Sequence, residues 1–217
     1  MGMAVQLNRW LAGGLAKPIF LGLGLMPAVW LVFAAFTDQL GANPTEALVR
    51  ATGDWTLRML CVLLAVTPLR VMAGLSSLAR LRRMVGLFVY FYAVLHLLAY
   101  SGFDMGFYLG DIANDIVKRP FILVGFSAIV LLSPLAATSF NRAIKAMGAK
   151  RWQMLHRLVY VIAGLALLHF FWMRAGKNNF DEVAVYAAII GTLLGWRVQR
   201  KFSQIQGKPS PVMRKQL

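Results

Sequence analysis

Charged residues are missing from four long stretches of this chain, and those stretches set its architecture. The runs Pro18 to Phe36 and Pro120 to Asn141 carry no charge, while Met84 to Phe103 and Leu158 to Met173 are interrupted only by His96 and His169. A helix needs about 20 mostly apolar residues to cross roughly 30 Å of hydrocarbon, so each run predicts a membrane-spanning helix. Two shorter stretches, Met59 to Leu69 and Val183 to Trp196, predict two more that need their flanking turns to cross. The expected fold class is all-α, a polytopic six-helix transmembrane bundle over 18–197 between an N-terminal segment 1–17 and a basic tail 198–217. Arg9 and Lys17 ahead of the first run imitate a signal peptide. That run is too long for a signal's apolar core and no small-residue cleavage site follows, so it is expected to remain as the first helix. Pro27, Pro68 and Pro134 fall in or near span ends, where membrane helices tolerate proline.

Composition agrees with the pattern: 59% of the 217 residues are apolar and 14% charged, against about a quarter charged in soluble domains. The net charge of +15 first suggests nucleic acid, but the charges are sorted. Segments 1–17, 70–83, 141–151 and 197–217 hold sixteen basic residues and no acid, whereas the alternate segments hold all eight acids and six bases. Six crossings alternate with this sorting. Basic loops stay cytoplasmic, which predicts cytoplasmic termini in a multi-pass protein. Topology and anionic lipid account for the basic loops, and no nucleic-acid partner is expected. The single cysteine, Cys61, lies in an apolar stretch and reads as a small hydrophobe. It excludes a disulfide framework, an iron–sulfur cluster held by this chain alone and C-x-x-C-H haem attachment.

All three histidines, His96, His156 and His169, fall inside predicted spans. A lone histidine there would most simply hydrogen-bond between helices; three of three, with none in a loop, point to a shared role. At 1.5 Å per residue His96 lies about 18 Å from the start of its helix at Met84, His169 about 25 Å from Trp152, and His156 about 6 Å from Trp152. His96 is therefore level with His169, and two neutral imidazoles on facing helices at one depth can fill both axial positions of a haem iron. His156 is left on the cytoplasmic side. Fourteen residues before His96, a step of roughly −40° around a helix, stands Arg82. The thirteen-residue step from His156 to His169 turns roughly 220°, which is not one face of an ideal helix unless Gly164 bends it.

Arg58, Arg157 and Arg174 are candidate partners of haem propionates, since guanidinium matches carboxylate geometry. Snorkelling to the interface accounts equally for Arg157 and Arg174, which leaves Arg58 as the candidate. Aromatics near the histidines, from Phe88 to Tyr92 and Phe170 to Trp172, suit a cofactor pocket or an interfacial belt. Gly22, Gly24, Gly86 and Gly125 suit close helix approach.

The segments RRMVGLFVYFYAVLHLLAY (82–100), VKRPFILVGF (117–126) and GAKRWQMLHRLVYVIAGLALLHFFW (148–172) resemble the haem-binding membrane subunits of bacterial periplasmic methionine-sulfoxide reductase systems, the MsrQ family. That family lies within the ferric-reductase-like transmembrane superfamily, and 41–70 resembles its second-span region. The resemblance implies an inner-membrane cytochrome with b-type haem (one or two) that also binds FMN. It implies electrons taken from the quinol pool or a cytoplasmic flavin reductase and passed to a periplasmic molybdopterin-containing methionine-sulfoxide reductase subunit. By resemblance His96, His156 and His169 match the haem-iron ligands and Arg82 falls beside the second haem. No glycine-rich phosphate loop marks an FMN site. No nucleotide domain follows the helices in this sequence, so donor and acceptor are expected to be other proteins, quinol or free flavin. The chain then reads as an electron-transfer subunit rather than a complete enzyme. A histidine-relay proton-coupled transporter and a structural anchor are the competing readings; the spans show no acid at mid-depth for a proton path.

Overall fold

The computed structural model describes residues 2–176 and 178–206; Lys177 and the tail bases Lys208, Arg214 and Lys215 lie outside the described residues. Every regular element among them is helical. A short α1 (Met3–Ala12) leads into α2 (Ala16–Phe36) and α3 (Pro44–Met72), and a 3₁₀ turn (Ser76–Arg80) leads into α4 (Arg82–Ala99). Next come α5 (Leu109–Lys118), α6 (Pro120–Ala137), α7 (Asn141–Met147), α8 (Ala149–His156), α9 (Leu158–Ala175) and α10 (Asp181–Gln206).

Five stretches are long and apolar enough to cross a membrane: Ala16–Phe36, Pro44–Met72, Arg82–Asp104, Pro120–Ala137 and Ala149–Ala175. The sixth expected crossing lies in α10. Its 26 residues reach about 39 Å, enough to span, but Asp181, Glu182, Arg197, Arg200 and Lys201 keep it less apolar than the others. Large apolar side chains such as Leu21, Leu23, Val29, Trp30 and Val32 point outward from α2. A face of that kind belongs against lipid tails rather than water.

Span two begins much earlier than hydropathy alone places it. The Asn43 side chain accepts from Glu46 N at 3.1 Å and Pro44 occupies the first turn, so the helix starts at residue 44 instead of near Met59. Glu46, Arg50, Asp54 and Arg58 then follow at four-residue spacing along one stripe of α3. That polar stripe hides the helix from an apolar scan, and it brings an acid, Asp54, to the lining of an internal cavity.

Packing centres on two helix pairs, α3 with α4 and α6 with α9, joined through α4–α6 contacts and closed by α10 against α3 and α9. Leu57, Leu60, Leu64, Val89, Leu132 and Ile162 fill the middle. On the other flank, α2 meets α4 through Ala28, Phe88 and Tyr92. The Tyr92 hydroxyl donates to Gly24 O at 2.7 Å and accepts from Ala28 N at 3.2 Å. It thereby serves two backbone groups one turn apart beside Pro27, where the helix ladder is weakest.

Helix α9 runs through Gly164 without interruption. The interruption falls instead at Arg157, directly after His156, which is the last residue of α8. His156 and His169 therefore sit on separate helices, and the 220° objection to their sharing one face no longer applies.

A cofactor-sized cavity between His96 and His169

His96 projects from α4 and His169 from α9, and their ring centroids lie 6.2 Å apart with planes inclined at 73°. The Nδ1 of His96 lies 2.9 Å from Val49 O, and that of His169 lies 2.6 Å from Phe121 O. A carbonyl oxygen can only accept, so both Nδ1 atoms carry the proton. Each Nε2 is left with its lone pair free, the arrangement by which metal-binding histidines are oriented and made more basic. Thr52 Oγ1, 3.4 Å from His96 Nδ1, adds a weaker contact on α3.

Both rings line one cavity of about 330 Å³, within the 300–1,000 Å³ typical of ligand sites. Its body is apolar, with Leu57, Leu60, Val89, Ala93 and Leu132 in the wall. Its polar lining is Arg50, Asp54, Tyr100, Asp104 and Arg119, on the acid-bearing end of the bundle. There α4 widens into a π-helical turn, Tyr100–Asp104, a local form common at functional sites. Tyr100 Oη donates to Asp115 Oδ2 at 2.6 Å, and Arg119 Nε pairs with Asp115 Oδ1 at 2.8 Å. On α3 Arg50 pairs with Glu46, one turn earlier, at 2.8 Å.

A haem's needs fit this donor set: two neutral imidazoles with unprotonated Nε2 atoms on rings 6.2 Å apart, a largely apolar cavity that both line, and two guanidinium groups in its lining. Arg50 and Arg119 were not singled out from the sequence. Their signal was there, as two bases each four residues after an acid on the acid-bearing side. Arg58 is placed differently: its side chain is exposed, its guanidinium lies 4.9 Å over the Trp55 ring, and it does not line the cavity. Arg174 is buried, stacks at 5.3 Å over Phe170 and pairs with Glu182 of α10. It is a structural clamp between α9 and α10 rather than a snorkelling residue.

His156 stands apart from this pair, at the basic end. Its ring stacks 3.9 Å from that of Trp152, and its Nε2 lies 3.2 Å from Thr138 Oγ1 at the end of α6. Arg82, exposed at the start of α4, lies close enough for its charge to act on His156 and on Arg197. Arg197 itself donates to the carbonyls of Leu64 and Leu193. The structure thus brings His96 and His169 together, and separately gathers His156 and Arg82.

A membrane-helix bundle holding two opposed histidines defines a class. Residues 52–167, which contain His96 and His156, match the family described as ferric reductase like transmembrane component. Three relatives, each named protein-methionine-sulfoxide reductase heme-binding subunit MsrQ, narrow it. That of Polaromonas naphthalenivorans (strain CJ2) is 69% identical over 94% of this chain and 93% of its own. That of Herminiimonas arsenicoxydans is 52% identical over 85% and 84%, and that of Xanthomonas axonopodis pv. citri is 44% identical over 82% and 80%. The chain belongs to the MsrQ family of the ferric-reductase-like transmembrane proteins, and it is a multi-pass membrane protein. No solved structure matches it.

Proposed function

We propose that this chain is the haem-binding membrane subunit of a protein-methionine-sulfoxide reductase system and conducts electrons across the bacterial inner membrane. The observation that carries the reading is the pair of Nδ1-tethered imidazoles whose free Nε2 atoms belong to rings lining one apolar cavity. His96 and His169 would hold a b-type haem, and that group, when bound, would supply one-electron redox chemistry. The chain's residues orient the two nitrogens, exclude water from the slot and offer Arg50 and Arg119 to the propionates. His156, with Arg82 beside it, is the ligand of a second haem toward the basic end.

With α10 as the sixth crossing, the sorted charges support a cytoplasmic location for both termini and the basic end. Electrons enter near His156 from the quinol pool or a cytoplasmic flavin reductase and leave near the His96–His169 pair. Their acceptor is a periplasmic, molybdopterin-containing methionine-sulfoxide reductase subunit. FMN is proposed on family resemblance, with no residue assigned to it. Asp54 favours a second reading, because an acid lining a cavity with two histidines resembles a proton relay. Colour separates the two. A dithionite-reduced minus oxidised spectrum of detergent-purified protein, with haem quantified per chain, should show sharp b-type bands. A colourless protein expressed with ample haem would discard the conduit and favour the relay.

A further inference from the structure

The two ligand histidines are seated by the same backbone device, used twice. His96 donates to Val49 O, and the residue four places on is Gly53; His169 donates to Phe121 O, and four places on is Gly125. In an α-helix the carbonyl of residue i already accepts from the amide of i+4, so a second donor from a neighbouring helix must reach it across the surface of residue i+4. Glycine leaves that path open. A Cβ at residue 125 would lie 2.8 Å from His169 Nδ1 and 2.9 Å from its Cε1. At residue 53 it would lie 3.1 Å from His96 Cε1 and 3.2 Å from its Nδ1. Among the described glycines only these two would place a Cβ against a histidine ring. The other close approaches are to Phe88, Phe107, Tyr108, Leu63 and the Trp10 backbone.

We infer that Gly53 and Gly125 are positioning residues for the axial imidazoles, setting each ring's plane and its Nδ1–carbonyl bond by keeping the i+4 surface bare. The ring is rigid and its tether short, so it cannot absorb a methyl group as a flexible side chain would. Gly125 is the tighter seat. This inference rests on the haem reading above.

Gly125→Ala should lower occupancy of the haem that His96→Ala removes by about tenfold or more, the range for lost outer-shell support of a metal ligand. Gly53→Ala, with its looser contact, should retain haem but shift its low-spin ferric resonance, which reports ring orientation. Gly164→Ala, also on α9 with nothing within 4 Å of its Cβ position, should match wild type in both. A Gly125→Ala protein with wild-type haem content and resonance overturns the inference alone, whereas a wild type without haem removes the haem reading and this inference with it. A second variant guards against simple misfolding. In His169→Gly, added imidazole can occupy the ligand position without the backbone tether, and Gly125→Ala/His169→Gly with imidazole should bind as much haem as His169→Gly with imidazole. A double variant that stays empty would mean that Gly125 serves helix packing rather than the ring.

Discussion

The two ends of the bundle hold histidine in different ways. At the acid-bearing end, His96 and His169 sit within α4 and α9, and each Nδ1 is fixed to a backbone carbonyl of the next helix. At the basic end, His156 closes a short helix, with a hydroxyl and an indole as its ring partners. A carbonyl inside a helix cannot rotate, and it fixes tautomer, plane and depth together. A threonine hydroxyl turns about its own bond and can either give or take a hydrogen bond. The pair is thus preorganised by the fold, while His156 remains adjustable.

The largest expected effect tests that separation directly. His96→Ala and His169→Ala should each abolish one and the same low-spin haem signal, and His156→Ala should leave it intact. Low-temperature difference spectra and electron paramagnetic resonance of the three purified variants read this out. Loss of the shared signal in His156→Ala would collapse the two ends into one site.

Next in size is the charge clamp behind the paired site. The Arg174 side chain is 8% exposed and its partner is Glu182. Glu182→Gln would take the carboxylate from a buried guanidinium, and because Glu182 itself is 56% exposed the resistance of the folded protein to denaturing detergent should fall by about 1 kcal/mol. Arg174→Met in the same chain should restore much of it, because removing both charges leaves nothing unpaired. If Glu182→Gln proves neutral, the acid-bearing end is held by packing alone.

Much of this was legible in the residues, and the misses have physical causes. Uncharged runs mark the crossings through α2, α4, α6 and α9, because hydrocarbon tolerates little else. Depth counting placed His96 level with His169, and their rings do meet. Hydropathy shortened α3, since its first four turns carry Glu46, Arg50, Asp54 and Arg58 at four-residue spacing, which breaks the apolar run. For the same reason Arg58 drew attention ahead of Arg50: which of two arginines two turns apart faces a cavity depends on the rotation of α3 against α4, and composition is blind to rotation. The break after His156 has no proline or glycine to announce it.

The adjustable end offers a smaller test. Thr138→Val removes the hydroxyl that lies 3.2 Å from His156 Nε2 while keeping shape. It should weaken ligation at His156 by about 1 kcal/mol, roughly a fivefold loss of affinity at that position, and leave the paired signal untouched. Titrating haem into the apo-protein, with the two populations resolved spectrally, measures it. An equal effect at both ends would mean that the helices move as one unit and that the local tethers matter little.

The smallest effect concerns the rim. Arg50 and Arg119 line the cavity, and each already pairs with an acid one turn earlier, so their net influence on a bound haem is modest. Removing either positive charge makes the more positive ferric state relatively easier to hold, so the midpoint potential should fall, by on the order of 30 mV for roughly 0.7 kcal/mol in a one-electron couple. Arg58→Ala should lower the potential less than either, because that guanidinium lies over Trp55 and does not line the cavity. Spectroelectrochemical titration of the three variants distinguishes these expectations. A fall in potential confined to Arg58→Ala would mean that α3 presents its other face to the haem, and with it the sequence-based choice of arginine would displace the one made from the cavity.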